Sequence, residues 1–72
     1  MESEIRTNME KILTGKLTYK SHNLAFNMMI SRMQMKLKSE PGNFDLCMNE
    51  LDEFAAKYPS VIQVDYDRIA CL

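Results

Sequence analysis

The chain has 72 residues, of which 46% are hydrophobic and 26% charged, and its formal net charge is −1. This length allows one small domain over 1–72, and it argues against an enzyme, because an enzyme's fold must also hold a separate catalytic cleft. The hydrophobic fraction is too high for a disordered chain, so we expect it to fold. A single core of this size supplies only about 3–5 kcal/mol, so disulfides, a metal or association with other chains should add stability.

Two of these three stabilisers are disfavoured by the residues present. Cys47 and Cys71 form no CxxC pair and His22 is the one histidine, so we expect no metal and no cofactor. The first residues contain no apolar leader, and no stretch approaches the roughly 18 apolar residues of a membrane span. We therefore expect a cytoplasmic protein whose thiols stay free. Association remains the favoured stabiliser.

The first predicted element is a helix over about 3–14. Ser3 is a candidate N-cap and Gly15 follows the last helical residue. The apolar residues of this segment recur at helical spacing, and they are Ile5, Met9, Ile12 and Leu13. The spacing predicts a helix with one buried face.

The second predicted helix covers about 20–38. This segment is rich in residues that favour helices, and Pro41 and Gly42 stop it. The alternation of polar and apolar residues over 32–38 leaves a strand as the alternative there. Residues 16–20 alternate in the same way, and we interpret them as the lead into this helix.

The third predicted helix covers about 43–58, with Asn43 as N-cap, and its apolar residues keep helical spacing until Pro59. The tail is ambiguous. Its β-branched residues over 61–67 favour a strand, whereas Ser60 and Gln63 fit the capping box that starts a helix. The predicted fold is thus mainly α, a three-helix domain with a C-terminal strand or short helix. The alternative is an α+β fold with a small two-stranded ribbon.

The second helix carries two apolar faces. Opposite its main face lie Leu24, Met28 and Met35, which we predict to mediate self-association. In a monomer the first and third helices could instead cover both faces. The main face consists of Phe26, Met29, Ile30, Met33 and Leu37.

Charge is segregated along the chain. Residues 11–38 contain six Lys or Arg and no Asp or Glu, whereas residues 39–72 contain seven acids and two bases. Three interpretations are open: the second helix packs against the acidic third helix, basic and acidic faces meet between copies, or the basic surface binds phosphates.

Two sets of polar residues are candidate sites. Glu50, Asp52 and Glu53 on the third helix suit a basic protein partner. The alternative is a small anionic ligand, such as a nucleotide, held by Lys20, Asn23, Asn27, Arg32 and Lys36. Duplex nucleic acid is disfavoured by the acidic segment 39–72 and by a pI near 5.7.

The residues predict no catalytic centre. His22 with Cys47 or Cys71 lacks a third, orienting group. The predicted function is a non-enzymatic binding protein, a regulator or inhibitor acting through protein–protein contacts and self-association, of a size common among phage or mobile-element inhibitors. The alternatives are an oligomer that sequesters a nucleotide or other small anion, and a fragment whose fold needs a different subunit.

Overall fold

The computed structural model describes residues 2–72, with side chains from Glu4 onward. It contains four α-helices: α1 (Glu2–Leu13), α2 (Leu24–Ser39), α3 (Phe44–Lys57) and α4 (Pro59–Ala70). A 3₁₀ turn over Pro41–Asn43 joins α2 to α3. No strand occurs in the described part of the chain. The mainly helical prediction is confirmed, whereas the count of three helices is wrong and the two-stranded ribbon is not supported.

The first helix begins and ends one residue earlier than the predicted bounds of about 3–14. Since α1 starts at Glu2, Ser3 lies inside the helix and is not its N-cap. At the other end Gly15 has a φ of +82°, which residues with a side chain rarely adopt. This conformation lets the backbone N–H of Lys16 donate to the Lys11 carbonyl at 2.7 Å, which satisfies a helix-terminal carbonyl.

The second helix begins at Leu24, four residues later than predicted. Asn23 sets this boundary, because its side chain accepts a hydrogen bond from the Phe26 N–H at 3.1 Å. Its own N–H donates to Ser21 Oγ at 2.9 Å. Residues 32–38 are helical, so the strand alternative there is wrong.

The ambiguous tail, 61–67, belongs to α4. Pro59 is the first residue of this helix, a position where its fixed φ is suitable and its missing N–H costs nothing. The strand prediction is wrong, and the short helix is longer than predicted. The capping box does not form, because Ser60 lies inside the helix and Gln63 Nε2 donates to Asp67 Oδ1 at 2.9 Å.

All four helices contribute to one core, in which α4 contacts both α1 and α3 while α2 contacts α1. Asn8 Nδ2 ties α1 to α4 by donating to the Ile69 carbonyl at 2.7 Å. Gln34 Nε2 ties α2 to α1 by donating to the Ile12 carbonyl at 3.0 Å. The fully buried side chains are Phe26, Met9, Ile12, Met33, Leu51, Ile69 and Cys47.

A buried acid on α4 fixes the connection between α1 and α2. Asp65 is buried, and the Tyr19 hydroxyl donates a hydrogen bond to its Oδ1. The ring of Tyr19 also meets Phe26 edge to face, at 6.3 Å between ring centroids. Burial first, and then the bond to Asp65, raises the pKa of Tyr19 well above its usual range.

Candidate interaction surface

One face of α2 exposes large apolar side chains. Leu24, Met28 and Met35 are 73%, 65% and 71% exposed, and together with Ser31 they lie in one line along the helix. We call these four residues the α2 stripe. The opposite face of α2 is filled by core residues. In this fold α1 and α3 therefore do not cover both faces of α2, which was the alternative arrangement for a monomer.

A groove of about 690 Å³ adjoins the C-terminal half of the α2 stripe. It lies between the end of α1 and the second half of α2, and its wall is mostly apolar. Ser31 and Met35 belong to both the stripe and the groove. The sequence does not predict this groove, because the groove depends on where the end of α1 packs. The sequence signals nearest to it are Gly15, in the turn after α1, and Pro41, in the turn after α2.

The basic and acidic segments meet at Glu50. Lys36 Nζ donates to Glu50 Oε1 at 3.3 Å, and Arg32 Nη2 lies 3.6 Å from Glu50 Oε2. Two residues predicted for an anionic ligand thus pair with one predicted for a protein partner. These contacts agree with the interpretation that the second helix packs its charges against the third. All three side chains are partly exposed, so the pairs stabilise the fold only modestly.

The remaining residues of the predicted anion site have other partners. Asn23 caps α2, and Asn27 Oδ1 accepts from the Ser21 N–H while its Nδ2 donates to the Ser21 carbonyl, both at 2.8 Å. Asn27 therefore faces the connection before α2, whereas Arg32 faces α3. Lys20 is exposed on that connection. The structure does not gather the five residues around one point.

The exposed acids of α3 are Asp45, Asp52 and Glu53. Asp52 lies close enough to Tyr66 to affect its ionisation: burial raises the pKa of Tyr66 to about 12, and the Asp52 carboxylate adds to the rise. Nearer the start of α3, Asp45 pairs with Arg6, whose guanidinium lies 5.0 Å above the Phe44 ring. The sequence does not indicate this contact between α1 and α3.

The two thiols and the histidine lie in different settings. Cys47 is buried, whereas Cys71 and His22 are exposed. Burial raises the pKa of the Cys47 thiol, which Lys36 partly offsets, so Cys47 has little thiolate character at neutral pH. In the described part of the chain, no group of three or more His, Cys, Asp or Glu residues is arranged to hold a metal ion.

Comparisons with protein-family models, with curated proteins and with solved structures find no match for this chain. None of the four described helices is long and apolar enough to cross a bilayer.

Proposed function

We propose that this protein is a small non-enzymatic binding protein that self-associates and acts as a regulator or inhibitor through protein–protein contacts. One observation carries the proposal: Leu24, Met28 and Met35 are exposed in one line on a helix whose other face is already filled by the core. Single exposed apolar residues are common on protein surfaces, whereas several large ones aligned on one exposed helix face are typical of an interaction site.

The chemistry of the row suits a protein surface. Fully burying one Leu or Met side chain contributes about 1.5–3 kcal/mol, and association must first offset about 4–15 kcal/mol of lost freedom. Three such side chains supply a central apolar contact, and their neighbours must supply the rest. The flexible thioethers of Met28 and Met35 adapt to the shape of the surface that covers them.

The ion pairs at Glu50 and the hydrogen bonds of Asn23 and Asn27 weaken the alternative of an anionic ligand. A phosphate binding at Arg32 and Lys36 would have to compete with the Glu50 carboxylate, which already lies close to both cations. Asn23 and Asn27 already hold the start of α2. On α3, Asp52 and Glu53 are exposed and suit a second, basic partner, whereas Glu50 is engaged within the chain.

Replacing one residue of the stripe by an acid tests the proposal. We expect the wild-type protein to sediment as a multiple of its 8.4 kDa chain, and Met28→Glu to sediment as a single chain with unchanged helix content by circular dichroism. A charge buried between chains without a partner is costly, whereas at an exposed position it costs little. Leu46→Glu is the matched control, because Leu46 is 63% exposed on α3; this variant should keep the wild-type mass.

The outcomes separate the candidate functions. A wild-type protein that sediments as one chain up to high micromolar concentration excludes self-association. A native mass spectrum of the protein purified gently from its host tests the alternative. An assembly that retains a few hundred extra daltons would favour sequestration of a small anion, and bare multiples of the chain support the binding protein.

A further inference from the structure

The spacing of the α2 stripe is the same in both directions along the helix. Leu24, Met28, Ser31 and Met35 are separated by intervals of four, three and four residues. A two-fold dimer needs a surface that is complementary to its own reversed copy. With the axis between Met28 and Ser31, Leu24 of one copy lies opposite Met35 of the other, and Met28 lies opposite Ser31.

The size of the side chains fits this reversed pairing. Intervals of four and three residues define the seam of a two-helix coiled coil, in which each side chain enters a hole on the facing helix. At the centre the long Met28 meets the short Ser31 twice, so the two helices can approach closely at a shallow crossing angle of about 20°. In a parallel pair Met28 would meet Met28 and Ser31 would meet Ser31, which leaves a crowded layer next to a gap.

The groove beside the stripe lies where the reversed copy would place Leu24. It borders Met35 and Ser31 at the C-terminal half of α2, and in an antiparallel pair the N-terminal end of the other helix lies over this half. Leu24 is the most exposed apolar residue of the stripe. The helix therefore carries a projecting side chain at one end and an apolar recess at the other.

Charge along α2 also favours the antiparallel orientation. Residues 24–31 contain no charged residue, whereas Arg32, Lys36 and Lys38 follow in the C-terminal half. Lys38 comes three residues after Met35 and so continues the line of the stripe. A parallel pair would place Lys38 against Lys38, and like charges in contact oppose association. The antiparallel pair places Lys38 beyond the start of the other α2.

From these four features we infer that a second copy of this chain covers the stripe. The two α2 helices pair antiparallel about a two-fold axis between Met28 and Ser31, with Leu24 of each copy at the mouth of the groove beside Met35 of the other. This inference rests on the proposed function and specifies which surface self-associates, with which partner and in which orientation.

Disulfide mapping tests the orientation. In a Cys71→Ser background, which removes the exposed native thiol, Leu24→Cys and Met35→Cys are made as two separate proteins. After equal amounts are mixed and mildly oxidised, peptide mapping should show the link between positions 24 and 35 at least tenfold above either link between identical positions. Sedimentation of both proteins in the reduced state checks that each still associates. Circular dichroism checks that each is folded.

Each other result overturns the inference in a recognisable way. When the Leu24→Cys protein is oxidised by itself, a disulfide between position 24 of two copies indicates a parallel pair. A protein that sediments as a dimer but forms neither kind of link associates through another surface, and the proposed function survives while this inference fails. A wild-type protein that sediments as a single chain removes both.

Discussion

At the scale of single residues, the fold depends on the bond between Tyr19 and the buried Asp65. Replacing Tyr19 by Phe keeps the ring packed on Phe26 but leaves the carboxylate buried without this donor. We expect Tyr19→Phe to lower the free energy of unfolding by about 1–3 kcal/mol, measured by urea denaturation. Tyr58→Phe is the control, because Tyr58 is exposed; it should change stability little.

The same bond predicts a dependence on pH. Since the pKa of Tyr19 is raised in the folded state, the folded chain holds the phenol proton more tightly than the unfolded chain does. Its contribution is fully present below pH about 10, the usual tyrosine pKa, and is lost as pH rises above that value. The stability difference between wild type and Tyr19→Phe should therefore shrink above pH 10. A constant difference up to pH 11.5 would contradict this role of the hydroxyl.

At the scale of elements, the sequence predicts helices well where periodicity and stop signals agree. The spacing predicts the third helix over 43–58, and it forms over Phe44–Lys57, because its helical spacing runs into Pro59. The sequence leaves 61–67 open between a strand and a short helix for two physical reasons. Its β-branched residues favour strands locally, and a proline at 59 can end one helix as well as start the next, as Pro59 does for α4. Packing overrides the local preference, since Ile62, Asp65 and Ile69 are buried on one helical face.

The sequence predicts one part of the candidate surface and not the other. The positions of Leu24, Met28 and Met35 on one face follow from a helical wheel, so the sequence alone predicts them. The pairing of Glu50 with Arg32 and Lys36 does not follow from any local pattern, because the partners lie on different helices. It depends on the register between α2 and α3.

The turn that ends α1 allows a test with an internal control. An alanine at Gly15 would meet no atom within 4 Å, so its cost comes only from the positive φ. We expect Gly15→Ala to lower the free energy of unfolding by about 1–2 kcal/mol. Gly42 is equally open, without a positive φ, so Gly42→Ala should leave stability unchanged or slightly raised. Urea denaturation at one chain concentration measures both, and equal losses would show that φ is not the cause.

At the scale of the whole molecule, part of the segregated charge is paired within the chain. Glu50 draws two cations of α2 towards α3, and Arg6 pairs with Asp45 between α1 and α3. The α2 stripe lies beside this paired region. Self-association through the stripe should therefore bury apolar surface and leave the existing ion pairs inside each copy, whereas association of a basic face with an acidic face would need charges from both copies.

Salt separates these two modes of association. Raising NaCl from 50 to 500 mM shortens the screening length from about 14 Å to about 4 Å. If the copies associate through the α2 stripe, we expect the dissociation constant of the wild-type assembly to change by less than about threefold over this range. Sedimentation equilibrium measures it. Glu50→Gln leaves Arg32 and Lys36 without their counter-charge beside the stripe, so its assembly should be weaker than wild type at 50 mM and recover at 500 mM as the repulsion is screened. A wild-type assembly that weakens tenfold or more over this range would place acidic and basic faces of different copies, not the stripe, at the interface.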